Sequence, residues 1–207
     1  MATEIEMKLR VPDQEVLEKV LSDPELIQYA KDDYTTRHMV STYYDTPDNL
    51  LHQRKWTLRL RDEAGQKVAA FKTANASDDA GFFTRNEWQC TVENIEDAIP
   101  LLIDQGAPRE LKSMLKGKGL LPCCGAEFDR KSVCLYLDDG VRIEIAGDLG
   151  RLFGGDREAP ICELELELLY GDAGSLPPLC AQLMDDYALQ EEHKSKYERA
   201  RELTFAE

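Results

Sequence analysis

Apolar and polar positions alternate with a period of two in at least eight stretches, near 3–10, 38–45, 56–62, 66–73, 82–92, 129–137, 140–148 and 161–170. Such repetition predicts a mainly antiparallel β architecture. In EIEMKLRV, residues 4–11, one face carries Ile5, Met7, Leu9 and Val11 and the other Glu4, Glu6, Lys8 and Arg10. Helical spacing fills the intervals at 13–30, 95–106, 108–117, 176–188 and 196–205, with Pro24, Pro100 and Pro108 expected to break these helices or open new ones. Turn-rich segments read as a hairpin at 62–66, a longer loop at 74–81, a linker at 117–125 and another loop at 147–157.

The polar faces are charged to an unusual degree. Thr57, Arg59 and Arg61 share one face of their strand, as do Glu163, Glu165 and Glu167 of theirs; Arg142, Glu144, Ala146 and Asp148 align, Arg85, Glu87 and Gln89 align, and Lys72 stands opposite Phe71. Same-face neighbours on a strand sit about 6.6 Å apart, so a run of three carboxylates repels itself unless solvent, a cation or facing bases offset it. Two arrangements meet that need. Acid strands lie beside basic strands on a wet surface, or the sheet closes into a barrel with charged faces inward and helices covering its apolar outside. An interior holding Lys8, Arg59, Arg61 and Lys72 with Glu4, Glu6, Glu87, Glu163, Glu165 and Glu167 suits a polyphosphate carrying divalent cations: bases grip phosphate oxygens and carboxylates hold hard Mg²⁺ or Mn²⁺.

Composition narrows the partners. The chain has 207 residues, 25 basic and 40 acidic, for a net charge of -15, which argues against general attraction to nucleic acid or to an anionic membrane. Any anionic substrate must therefore meet a local basic cluster. No apolar leader and no run of about 18 apolar residues is present, so a cytoplasmic protein is expected. The six cysteines show no CxxC spacing and read as reduced thiols, not a zinc site. No GxxxxGK[ST] loop occurs, so side chains must hold phosphate. His38, His52 and His193 lack a partner motif and read as structural or exposed, and Tyr43, Tyr44 and Asp45 as a buried strand entering a turn, with Asp45 able to touch a site rim. Charged-face strands on both sides of the 117–125 linker favour one domain over residues 1–207.

Glu4-Ile-Glu-Met-Lys8 is an ExExK motif, and it resembles the signature of the CYTH superfamily, the triphosphate tunnel metalloenzymes. YYDTPDNLL, LRLR, FKT, RNEWQ, FDRKS, EIAGDLG, ICELELEL and HKSKYERA follow in the family's order, so the resemblance covers nearly the whole chain. It is most similar to the bacterial inorganic triphosphatase group, here in a form without the C-terminal helical domain that some relatives carry. The resemblance implies an α+β fold: a closed eight-stranded antiparallel tunnel with a charged interior and helices packed outside. It implies that Lys8, Arg59, Arg61, Lys72, Arg130 and Lys196 bind phosphate, with Arg85 alongside. Metal falls to Glu4, Glu6, Glu87, Asp148, Glu163 and Glu165. Glu167 stands at the tunnel mouth, and Glu144 supports the ligands. Gln89 replaces a carboxylate of the family pattern, which bears on metal affinity, and Gly147 replaces a larger apolar residue, which is expected to loosen its strand.

The reaction so implied is metal-dependent hydrolysis of a triphosphate, with Glu4, Glu6, Lys8 and Lys72 as the catalytic set and inorganic triphosphate as the leading substrate. Thiamine and nucleoside triphosphates are secondary candidates. A class IV-type adenylyl cyclase would use the same clamp on ATP, although the aromatic and histidine usual before ExExK in that branch are missing. A third reading, a polyphosphate-binding module without turnover, is disfavoured because unpaired acids weaken a pure anion binder. The oligomeric state is left open, a homodimer being one option.

Overall fold

A computed structural model describes residues 2–74 and 83–205. β1 (Ala2–Arg10) is followed by α1 (Gln14–Leu21), α2 (Pro24–Ile27), β2 (Thr35–Asp45), α3 (Leu50–Gln53) and the hairpin of β3 (Trp56–Glu63) with β4 (Gln66–Ala74). Then come β5 (Phe83–Thr91), α4 (Ile95–Asp104), α5 (Glu110–Leu115), the long strands β6 (Leu121–Tyr136), β7 (Arg142–Gly154) and β8 (Arg157–Tyr170), α6 (Leu176–Tyr187), the short β9 (Gln190–Glu191) and α7 (Lys196–Glu202). The loop expected at 74–81 lies outside the described residues, Ala74 excepted.

Strands pair in the order β5-β4-β3-β2-β6-β7-β8-β1, and β1 also pairs β5, so eight antiparallel strands close into a barrel. Glu6 of β1 stands opposite both Phe83 of β5 and Glu167 of β8, which puts those strands on opposite edges. Past the β5 contact, Leu9 and Arg10 pair with β9. β1 therefore serves three strands.

Of the two sequence-level arrangements, the closed one is observed. The apolar faces point outward and the helices cover them. Met7, Leu9, Ile143, Ile145, Leu164 and Leu166 pack beneath Leu17, Val20 and Leu21 of α1 and Cys180 and Leu183 of α6. Leu58, Ala69, Phe71 and Trp88 pack beneath Ile95, Ala98 and Leu102 of α4 and Leu111 of α5. Each buried aliphatic side chain contributes about 1.5–3 kcal/mol, which offsets the cost of desolvating an interior full of charge. The helix ends are capped locally: Asp13 accepts the Val16 N–H at 2.9 Å, and Ser195 and Glu198 form a reciprocal capping box at the start of α7.

The helix α7 seals one end of the barrel. Its Tyr197 and Ala200 pack with Tyr43 at the end of β2, Cys124 at the start of β6, and Phe128, Leu152 and Ile161. Gly154 on β7 permits this approach, since a Cβ there would stand 2.3 Å from the Ala200 carbonyl oxygen.

Several expectations need correction. β6, β7 and β8 run through segments read as linker and loop, so residues 121–125 and most of 147–157 are strand. Their mutual pairing over a long ribbon outweighs the local turn chemistry of Gly and Pro. Pro160 is tolerated because it lies beyond Glu163–Glu167, the part of β8 that β1 pairs. Pro100 sits inside α4, whose buried Ile95, Ala98, Ile99 and Leu102 hold the helix in place. Pro24 does open α2, behind Asp23 as cap. Gly147 does not loosen β7: it pairs with Lys131 and Leu164, and a Cβ there would come within 2.7 Å of Leu21, so the glycine is the seat of α1.

Candidate active site

The charged faces enclose a cavity of about 210 Å³ lined from every strand of the barrel. Its wall holds eight bases against seven carboxylates, in a chain whose net charge is -15. The positive charge of this acidic protein is gathered where a polyanion would meet it.

Strand register sets the internal pairs. Lys72 on β4 reaches across the neighbouring β5 to β1, donating to both Glu4 oxygens at 2.6 and 2.8 Å and lying 3.3 Å from Glu87 of β5. Lys8 meets Glu6 at 2.7 Å. Burial works against the charges of Lys72 and Glu87, yet attraction wins: Glu4 and then Glu87 raise Lys72, and Lys72 and then Arg59 lower Glu87 from their ordinary values. Gln89 donates to Glu87 at 2.8 Å and helps keep it ionised. Gln89 thus supports the neighbouring carboxylate.

Deeper in, Arg130 grips Asp148 with Nε and Nη2 at 2.7 and 2.6 Å and also bonds Glu165. Lys196, the first residue of α7, sets its ammonium among Asp148 (2.6 Å), Glu165 (2.9 Å) and Glu163. Oxygens of these three carboxylates converge within 4.8 Å, a spacing that can hold a cation. Burial disfavours the charge on Glu165, but Lys196, Arg130 and Lys8 hold it well below the ordinary carboxylate range.

Two poles of the cavity are left uncompensated. Burial and then the neighbouring Arg59, with Arg130 further off, pull Arg61 down to about 10 even though Glu63 pairs with it. The Nε atoms of Arg59 and Arg61 are buried with no hydrogen-bond partner among the described residues. On the other side, burial and then repulsion from Glu4 and Glu6, with Glu144 adding to it, push Glu167 up to about 8 against the attraction of Lys72. One pole carries more positive charge than its neighbours balance and the other more negative.

The CYTH domain family model matches residues 2–200. The chain belongs to the CYTH family. The inorganic triphosphatase of Haemophilus influenzae is 29% identical over 177 residues, 85% of this chain and 48% of that protein. The chain spans about half the length of this curated relative. Among solved structures, HpAC1 of Hippeastrum, an adenylyl cyclase candidate described with a dominant triphosphatase activity, superposes with a TM-score of 0.62 at 17% identity, covering 96% of this chain and 95% of that one. The PH1819 protein of Pyrococcus horikoshii gives 0.58 at 17% identity, covering 96% and 98%. At these identities the solved structures establish a shared CYTH fold.

Within this CYTH barrel, Glu4, Glu6, Lys8, Arg59, Arg61, Lys72, Arg85, Glu87, Arg130, Glu165 and Lys196 all line the cavity, as do Glu144 and Glu167. Asp148 and Glu163 do not: both are fully buried behind Lys196 and Arg130. Sequence reasoning missed Arg37, Glu63 and Arg199. Arg37 and Glu63 continue the inward register of β2 and β3, a signal that alternation would have given. Arg199 lies one helical turn after Lys196 and bonds Glu163. Asp45 misses the rim; its carboxylate accepts the N–H groups of Thr46, Leu51 and His52 at 2.7–3.0 Å and shapes the turn into α3. None of the histidines lines the cavity. All six cysteines are free thiols, and among the described residues no helix is long and apolar enough to cross a membrane.

Proposed function

We propose that the protein hydrolyses inorganic triphosphate to pyrophosphate and phosphate with Mg²⁺ or Mn²⁺ as cofactor, acting as one domain in the cytoplasm. The observation that carries this reading is the pair of uncompensated poles inside a single cavity. Arg61, crowded by Arg59, with the Nε of each lacking a partner among the described residues, marks a pole that an anion would complete, while Glu4, Glu6, Glu144 and Glu167 outnumber the ammonium groups of Lys8 and Lys72. A triphosphate with a bound divalent ion satisfies both at once, and the hard oxygen donors of the acidic pole fit such an ion. The name of the Haemophilus relative points the same way.

When bound, the ion supplies charge neutralisation and a water of lowered pKa. The arginines and Lys8 hold the phosphate chain and stabilise charge that grows on its bridging and terminal oxygens. Lys72 fixes the direction of Glu4 and Glu87 and helps keep Glu87 ionised. Water attacks a terminal phosphorus, the phosphoanhydride bond breaks, and pyrophosphate leaves, so no side chain forms a covalent bond.

The inorganic substrate is preferred over a nucleotide for a specific reason. The aromatic rings of the wall are already engaged: Phe128 lies under Arg130 and Lys196 at 5.7 and 4.9 Å, and Tyr43 packs on Tyr197 at 5.2 Å. Each of the three rings thus already has a partner within the protein. The cavity volume also falls below the ~300–1,000 Å³ typical of pockets for larger organic ligands.

Product analysis tests the proposal. Purified protein is given Mg²⁺ or Mn²⁺ with inorganic triphosphate, thiamine triphosphate or ATP in turn, and Glu4→Gln is the control. Phosphate and pyrophosphate released fastest from inorganic triphosphate are expected. Cyclic AMP from ATP would move the protein to cyclase chemistry, and tight binding without any product would sink the enzymatic reading.

A further inference from the structure

The convergent carboxylates Asp148, Glu163 and Glu165 have the form of a metal site, but their oxygens are all spoken for. Asp148 uses both oxygens on Arg130 and shares one with Lys196. Glu165 divides its oxygens between Arg130 and Lys196, and Glu163 divides its own between Lys196 and Arg199. Three carboxylates thus face three cations, and Asp148 and Glu163 are sealed from solvent. A divalent ion placed there would have to expel the Lys196 ammonium, which has no other carboxylate in reach among the described residues.

Lys196 needs this holding. It is the first residue of α7, where the helix dipole repels a cation. Behind it, Arg199 reaches Glu163 and lies 3.4 Å from Glu192, which in turn accepts from Arg10 at 2.7 Å. The Glu192 N–H bonds the Lys8 carbonyl at 2.8 Å, so the same chain of charges ties α7 to the strand that carries Glu4, Glu6 and Lys8.

We infer that Asp148, Glu163 and Arg199 are positioning residues that form a metal-free socket for Lys196, aiming its ammonium into the cavity toward a phosphate oxygen. The inference rests on the proposed triphosphatase reading for the role of Lys196, and the socket itself can be read without turnover. It assigns Asp148 and Glu163 away from metal, leaving the divalent ion to the acidic pole around Glu167.

Three measurements on the full chain test it. In metal-free protein, Lys196 acetylation by acetic anhydride, followed by peptide mass, should speed up at least fivefold in Glu163→Gln; an unchanged rate overturns the socket. Mn²⁺ affinity by calorimetric titration should stay within twofold of wild type in Glu163→Gln and fall tenfold or more in Glu167→Gln; an equal fall in both makes Glu163 a metal ligand and overturns the inference. With inorganic triphosphate, Arg199→Met should raise KM at least fivefold with kcat within twofold, and Arg199→Lys should recover most of the loss; a kcat-only effect, or no recovery, counts against positioning. If the wild type neither hydrolyses triphosphate nor binds Mn²⁺, the functional proposal fails, while the acetylation rates still decide the socket.

Discussion

Replacing Glu167 with Gln should stabilise the metal-free protein while removing its response to metal. Burial and the facing Glu4 and Glu6 displace this carboxyl from 4.5 to about 8. A folded-state value above the unfolded one means that the folded chain holds an extra proton between those limits. Stability from this group is therefore complete below about 4.5 and is lost as pH climbs through about 8. At ~1.36 kcal/mol per pH unit the ceiling of that loss is about 5 kcal/mol. Rotation of the side chain and entry of water reduce it, so roughly 1–3 kcal/mol is expected above pH 8. For a chain of this size that amounts to a Tm difference of about 3–10 °C. The assay is thermal unfolding by circular dichroism in EDTA at pH 5, 7 and 9 for wild type and Glu167→Gln. The Tm gap between them should open as pH rises. Excess Mn²⁺ at pH 8 should lift the wild type and leave the variant almost unmoved. Parallel Tm curves across pH would refute the account of the acidic pole, and so would a variant less stable than wild type at pH 9.

Three further outcomes follow from the same geometry. Arg61→Met should weaken triphosphate binding about tenfold, read as KM, and raise the melting temperature of the apo protein by relieving a crowded buried cation. Gly147→Val should destabilise by about 1–3 kcal/mol in urea unfolding, because the new side chain enters the space of Leu17 and Leu21; an unchanged midpoint would show that α1 can shift freely. Asp45→Ala should cost about 2–4 kcal/mol by the same measurement, since the N–H groups of Thr46, Leu51 and His52 lose their acceptor.

Much of the architecture was written in the alternation. Glu4-Ile-Glu-Met-Lys8, Leu58-Arg-Leu-Arg61 and Glu163-Leu-Glu-Leu-Glu167 each announce a strand with one charged and one apolar face. Period two is blind to which face points inward; the amphipathic helices, left without any other apolar surface to cover, supplied that choice. The lengths of β6 to β8 were not legible, because Pro122, Gly150 and Pro160 are turn residues locally and strand residues only when a neighbouring strand pairs beside them. Position along the barrel axis was hidden too. Glu163, Glu165 and Glu167 look alike in the sequence, yet one is sealed beneath α7, one touches both lysine and arginine, and one stands at the unsatisfied acidic pole. Only the placement of α7, with Lys196 and Arg199 on one of its faces, separates them. No periodicity in the first strands carries that information.

The divided edge of β1 has a bearing on how the chain folds. Its partners β8 and β9 come some 160 to 180 residues later, at Glu167 for Glu6 and Glu191 for Leu9. Five pairings, β2–β3, β3–β4, β4–β5, β6–β7 and β7–β8, join strands adjacent in the chain, but the ring closes only through β1 and the β2–β6 pair, which are distant in sequence. Until β8 exists, β1 holds Met7 and Leu9 exposed beside an unpaired edge, the kind of segment that recruits other chains. Closure is thus a late, long-range and entropically expensive event, and refolding of this barrel should be slow and sensitive to protein concentration compared with a helical protein of equal length.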